Sequence, residues 1–141
     1  MEIKELERID GEILLDFIGR VRDKHQELFK DVTLMSQIIK FDEEYDEMNE
    51  AIKHIDENPD AFYEELADMF IVACGITRIN VALGLCLCKS VADDFIYKKD
   101  KDGSDYSCVL TDKVIEKMNK NIKRVWSKTK DGNYKHVSSY N

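Results

Sequence analysis

The chain is short of turn-formers, with one proline, Pro59, and six glycines in 141 residues. A sandwich or barrel of many short strands needs turn residues at close intervals, and that scarcity argues against both. Plentiful Glu, Lys, Leu, Met and Ile favour helices instead. Long apolar runs are also missing. A run as long as any, Met69 to Ile76, falls far short of the roughly 20 residues that cross a bilayer. The N-terminus, MEIKELERIDGE, has no apolar h-region and is too acidic for a transit peptide, which predicts a cytoplasmic protein without a membrane partner. Zinc-ligand spacing is absent too. Cys86 and Cys88 sit in CLC, without C-x-x-C spacing or a nearby His, so all four thiols (Cys74, Cys86, Cys88, Cys108) read as structural or idle.

What is present fits one globular domain over residues 1–141, with 43% hydrophobic and 35% charged residues. The net charge of −8 is unevenly spread. From Asp112 onward there are eight Lys or Arg against three acids, a local +5, so the first 111 residues carry −13. Such an acidic body would repel a phosphate backbone, which argues against a nucleic-acid partner. The same polarity suits a compact anion held between metal ions and lysines.

Four helices are expected, and the fold class is an all-α bundle. The first runs from about Lys4 to Lys30, with Ile9, Ile13, Phe17, Val21 and Leu28 inward. The second runs from about Leu34 to Ile55, along an apolar seam of Ile38, Phe41, Tyr45, Met48, Ile52 and Ile55. DENPD (Asp56 to Asp60) breaks the pattern, with Asn58 as N-cap and Pro59 at the first position of a third helix reaching about Leu83. Lys98 to Ser107 reads as a polar loop. A basic last helix spans about Asp112 to Trp126, followed by a tail without periodicity.

The stretch FDEEYDEMNE, Phe41 to Glu50, carries six carboxylates. On a helical projection Glu43, Asp46 and Glu50 fall opposite the seam, on a solvated face. Glu44 and Glu47 fall at roughly 60° and 120° from the seam on one side, as boundary residues one turn apart. Glu65 and Asp68 open the third helix's apolar run, again one turn apart. Two carboxylates at the edge of an interior repel each other and resist burial unless something neutralises them. A lysine or arginine, protonation or a bound cation would do so. The only base on the third helix, Arg78, lies about 15 Å along the axis, so a cation is the expected answer. All-carboxylate ligation indicates a hard ion, Mg²⁺ or Mn²⁺. An EF-hand is excluded because no D-x-[DN]-x-[DN]-G loop is present.

Written as a pattern, Glu43-Glu44-Tyr45-Asp46-Glu47, seventeen residues, then Glu65-Leu66-Ala67-Asp68, this is EExxE followed by ExxD. It resembles the all-α NTP pyrophosphohydrolases, meaning the MazG-like proteins with their relatives the dimeric dUTPases, dCTP pyrophosphatases and phosphoribosyl-ATP pyrophosphohydrolase. The resemblance covers about Ile38 to Ile76. It implies a four-helix core completed by assembly into a homodimer or homotetramer. It also implies Mg²⁺ bound by Glu44, Glu47, Glu65 and Asp68, and hydrolysis of a nucleoside triphosphate to the monophosphate and pyrophosphate. Glu47 and Glu44 are the expected catalytic carboxylates, with Glu47 the more accessible. Lys117-x-x-x-Asn121-x-x-Arg124 is similar to the run with which some members reach substrate phosphates, and these three form one stripe at i, i+4, i+7. His25 and Trp126 are weaker candidates for contacts to the base, with Tyr134 beside them. Phosphoribosyl-ATP as substrate, or a non-enzymatic helical interaction module, are the alternatives.

Overall fold

The computed structural model describes residues 2–92 and 106–139. It contains α1 (Leu14–Leu28), α2 (Leu34–Ile52), α3 (Pro59–Ile79), α4 (Val81–Val91), α5 (Tyr106–Ile122), and a two-stranded sheet of β1 (Arg124–Lys128) and β2 (Tyr134–Ser139). The protein is thus mostly helical, roughly the expected all-α class, with one small two-stranded sheet added. Helix α3 lies at the centre, packed by α1, α2, α4 and α5. Its apolar run explains this position, since Leu66, Phe70, Ala73, Cys74 and Ile76 are fully enclosed. Asn58 caps α3, its side chain accepting the Ala61 N–H at 3.3 Å, with Pro59 at N1.

Four expectations are corrected. Helix α1 starts at Leu14, not Lys4, because Asp10-Gly11 forms a turn with Gly11 at φ +76°, a conformation that favours glycine. Ile9 and Ile13 are consequently exposed, whereas Leu6 is buried and exchanges two hydrogen bonds with Asn119 (2.7 and 3.0 Å). Helix α2 ends at Ile52, and the chain to Glu57 is a run of turns rather than helix.

The expected third helix is two helices broken at Asn80, whose side chain caps α4 by accepting the Leu83 N–H at 3.0 Å. The corner is tight. A Cβ on Gly84 would lie 2.4 Å from the Thr77 backbone nitrogen, so only glycine fits there.

Helix α5 begins at Tyr106 and stops at Ile122, and the supposedly irregular tail forms a hairpin. Gly132 turns it at φ +85°. The hairpin folds over the α1–α2 connection, where Asp31 pairs with Lys128 Nζ at 2.6 Å and accepts the Tyr134 hydroxyl. Phe29 packs between Trp126 and Tyr134, with ring centroids 4.9 and 5.1 Å away. The loop expected over Lys98 to Ser107 lies outside the described residues except for Tyr106 and Ser107, which open α5.

The side chain of Cys108 is also outside the described residues, while Cys74 and Cys88 are buried with their sulfurs 3.9 Å apart and Cys86 is exposed. Among the described residues, no helix is long and apolar enough to cross a membrane.

Candidate functional site

Helix α2 turns a different face inward from the one its apolar seam indicates. Gln37, Glu44 and Met48 are buried, with Phe41 and Ala51 partly so, while Ile38, Tyr45 and Ile52 are exposed. The inward face is rotated by about 50° from the seam. Glu44 therefore lies near the middle of the buried face, only 6% exposed, rather than at its boundary. Packing against α3 places it beside Glu65, which is half-buried. Glu47, one turn on, is exposed. One carboxylate oxygen from each of Glu44, Glu47 and Glu65 lies within 4.8 Å of the others, a separation suited to a single shared cation.

Asp68 joins the cluster electrostatically. Burial first, then the charge of Asp68 and of Glu47, pushes the Glu44 carboxyl up to about 8. Burial and Asp68 push Glu65 up to about 7, with Glu47 adding to it. Burial raises Asp68 to about 6 against the opposing pull of Lys117.

Two lysines reach the carboxylates from outside α3. Lys117 Nζ of α5 lies 3.5 Å from Asp68 Oδ2, and Lys40 Nζ lies 3.2 Å from Glu44 Oε1. Burial lowers the Lys40 pKa, but Glu44, Glu43 and Glu47 outweigh it and the net shift is upward. Sequence reasoning weighed only the third helix's own Arg78 as a counter-charge, whereas α2 and α5 supply one lysine each. The relief is partial. Four carboxylates face two lysines, and Glu44 Oε2 and Glu65 Oε2 are buried without any hydrogen-bond partner. An all-oxygen set with two orphaned carboxylate oxygens fits a hard divalent cation.

The cluster opens into a cavity of about 470 Å³. At the carboxylate end its wall includes Lys40, Glu43, Glu44, Glu47, Asp68 and Lys117, with Glu43, expected on the solvated face, exposed but 3.8 Å from Lys40 Nζ. Along the cavity come Asn121 and Arg124. Asn121 is buried and is a positioning group: its carbonyl accepts the Trp126 indole N–H at 2.9 Å and its Oδ1 accepts from Arg124 Nη1 at 3.4 Å. Arg124 Nε is buried and unpaired.

The far end is aromatic, built from Phe29, Trp126, Tyr134 and His136. His25 lies beneath it, close under Gly75, where a Cβ would come within 2.5 Å of the imidazole. Burial lowers its pKa to about 4, with a contact from Gln37 opposing and the charge of Arg78 assisting, so it is neutral at pH 7. His54 is remote, beside Glu57 on the surface.

The structure thus brings Glu44, Glu47, Glu65, Asp68, Lys117, Asn121, Arg124, His25 and Trp126 to one site. Sequence reasoning missed Lys40, Gln37, Phe29, Asn133 and His136. Lys40 was visible as an i, i+4 partner of Glu44. Asn133 and His136 come with the hairpin, whose signal was Asp131-Gly132 between Val125-Trp126 and Tyr134-Val137, and Gln37 and Phe29 are the residues it packs on.

No known protein family, no curated protein and no solved structure matches the chain.

Proposed function

We propose that the protein is a Mg²⁺-dependent pyrophosphohydrolase that cleaves a nucleoside triphosphate to the monophosphate and pyrophosphate. One observation carries this reading. Among the described residues, the buried side-chain polar atoms without a partner are Gln37 Oε1, Glu44 Oε2, Glu65 Oε2 and Arg124 Nε, and all four line this cavity or its carboxylate cluster. Unpaired buried groups are costly, and their concentration in one place marks a site awaiting a ligand. The ligand must offer cations to the acids, anionic oxygens to the bases and a flat ring to the aromatic end. A metal-bound nucleotide does so.

Glu44, Glu47, Glu65 and Asp68 would hold Mg²⁺, or Mn²⁺ in its place. The ion would supply charge neutralisation of the phosphates and Lewis-acid activation at phosphorus. Lys117 and Lys40 sit where they can move from carboxylate to phosphate oxygens, and Arg124 offers its free Nε–H to the same chain. Glu47 is the exposed carboxylate, so it is the member placed to take the proton of an attacking water, with Glu44 beside it. Trp126 and its neighbours would stack on the base. The partly exposed, mainly apolar groove of Ile38, Phe41, Tyr45, Leu83 and Leu87, edged by Asp42, supports assembly with a second copy, which sedimentation would test.

The deciding experiment is pyrophosphate release from a panel of ribo- and deoxynucleoside triphosphates, with Mg²⁺ or EDTA, for wild type and Asp68→Asn. Metal-dependent release lost in the variant supports the proposal. Silence on the panel with the fold intact refutes it and moves the test to phosphoribosyl-ATP, then to a helical interaction module.

A further inference from the structure

Gln37 is a glutamine where the fold calls for an apolar residue. It is 3% exposed, on the inward face of α2, and lines the cavity where the aromatic end begins. The orientation of its amide is fixed by a chain of contacts. The Asn133 Nδ2 donates to the Ser36 carbonyl at 2.8 Å, so Asn133 Oδ1 must face Gln37 and accepts its Nε2–H at 2.8 Å. Gln37 Oε1 then points away from Asn133 and makes no hydrogen bond of normal geometry, with the imidazole of His25, whose pKa Gln37 raises, as the protein donor near it. A buried acceptor held in one orientation and left unpaired is a recognition element rather than packing.

Its distance from the carboxylates is also informative. Gln37 and Glu44 are seven residues apart on one helix, about 10.5 Å along its axis. That gap suits a ribose and base extending from a phosphate held at Glu44. The ring would lie along Phe29, Trp126 and Tyr134, whose centroids cluster within 4.9 to 5.1 Å of Phe29. The base edge would then meet Gln37.

We infer that Gln37 Oε1 selects nucleotides whose base carries an amino group at the adenine C6 or cytosine C4 position over their oxo counterparts hypoxanthine and uracil. This rests on the proposed function for the class of ligand. An amino group projects from the ring and donates to the amide oxygen. Replacing it by a carbonyl sets acceptor against acceptor in a buried site, leaving both unpaired. The ring N–H groups of uracil (N3) and hypoxanthine (N1) are donors too, but each lies one ring atom away from the amino position, so reaching Oε1 requires the base to slide in its slot and brings a carbonyl oxygen beside the amide oxygen.

The test pairs ligands that differ only in this group. Metal-free protein is titrated with AMP, IMP, CMP and UMP, following the fluorescence of Trp126, the only tryptophan. In parallel, kcat/KM is measured with Mg²⁺ for ATP, ITP, CTP and UTP. The expected result is binding of AMP over IMP and CMP over UMP by at least about tenfold, with larger ratios in kcat/KM. Gln37→Met should bring each ratio to about one.

Equal binding within each pair by wild type overturns the inference. So do ratios that survive in a folded Gln37→Met protein, or absence of any binding. If the variant does not fold, the wild-type pairs decide alone. Amino-selective binding without hydrolysis of any triphosphate would refute the proposed activity and leave this assignment standing. Hydrolysis without discrimination would do the reverse.

Discussion

Lys117 Nζ of α5 and Asp68 Oδ2 of α3 lie 3.5 Å apart, both largely buried, and close the carboxylate cluster with a charge drawn from another helix. The lysine stands in for part of the positive charge that a metal would bring. That makes it both a stabiliser of the empty site and a competitor of the cation.

Lys117→Met should therefore have opposite effects on two measurements. Without metal, Asp68 loses its counter-charge, and the melting temperature should fall by an amount equivalent to about 2 kcal/mol, less than for a fully buried pair. With Mn²⁺ or Mg²⁺ added, the stabilisation should exceed that of wild type, because the remaining carboxylates are more negative. Pyrophosphate release should still drop about tenfold or more, since a phosphate contact is gone. An unchanged metal-induced shift in Tm would show that Lys117 and the cation do not share the acids.

Glu65→Gln tests repulsion directly. Glu65 Oε2 is buried and unpaired, and burial together with Asp68 raises its carboxyl to about 7. At pH 8 and without metal, the neutral amide should stabilise the protein by roughly 1 kcal/mol by removing a charge that its neighbours oppose. With Mg²⁺ present, hydrolysis should fall at least about a hundredfold. A lower metal-free melting temperature than wild type would refute the account of the cluster as mutually repelling.

The metal-free protein should show two opposed pH dependences. Glu44, Glu65 and Asp68 have folded pKa values of about 8, 7 and 6, above their usual values of 4.5, 4.5 and 3.8. Their contribution to stability is fully present below the lower values and is lost as pH rises toward 8. His25 behaves oppositely. Its folded pKa of about 4 lies below 6.5, so its contribution is present above 6.5 and is lost as pH falls toward 4. Where the windows overlap, from about pH 4.5 to 6.5, three carboxylates oppose one histidine, so thermal melts in EDTA should decline as pH rises from about 4.5 to 8, with His25 only blunting the lower part of that limb. Glu44→Gln should shrink this alkaline decline and leave the His25 contribution as it is. Saturating Mg²⁺ should flatten the alkaline side in wild type only. An alkaline limb of full size in Glu44→Gln would assign it to other groups.

How much of this was legible in the sequence follows from the range of each signal. The start of α3 was readable because Asn58-Pro59 is a local cap, and the burial of α3 because its apolar run leaves no polar face. The carboxylates were readable as spacing within α2 and α3. The inward face of α2 was not, because Ile38, Tyr45 and Ile52 are apolar but exposed, and only packing against α3 selects the face bearing Glu44. Lys117 was read as a phosphate ligand, and its pairing with Asp68 depends on how α5 docks. The hairpin was missed for a different reason. Its strands are short and largely polar, and its anchors, Asp31, Phe29 and Ser36, are about a hundred residues away in the chain.

The hairpin's attachment to α2 passes through Asn133, which is buried, donates to the Ser36 carbonyl and accepts from Gln37. Asn133→Ala would leave both partners unpaired, at a cost of about 1–3 kcal/mol. Because the β1–β2 pairing and the Asp31 contacts are separate from this residue, the hairpin should form but dock more loosely. Trp126 emission should shift to the red as the aromatic end opens to water. KM for the nucleotide should rise more than kcat falls, since the carboxylate cluster on α2 and α3 does not involve Asn133. The melting shift induced by Mg²⁺ should match that of wild type for the same reason. Asn133→Asp should be intermediate, because a carboxylate can accept from Gln37 but cannot donate to Ser36. An unchanged KM with a red-shifted Trp126 would detach the hairpin from substrate binding and leave the carboxylate end as the whole of the site.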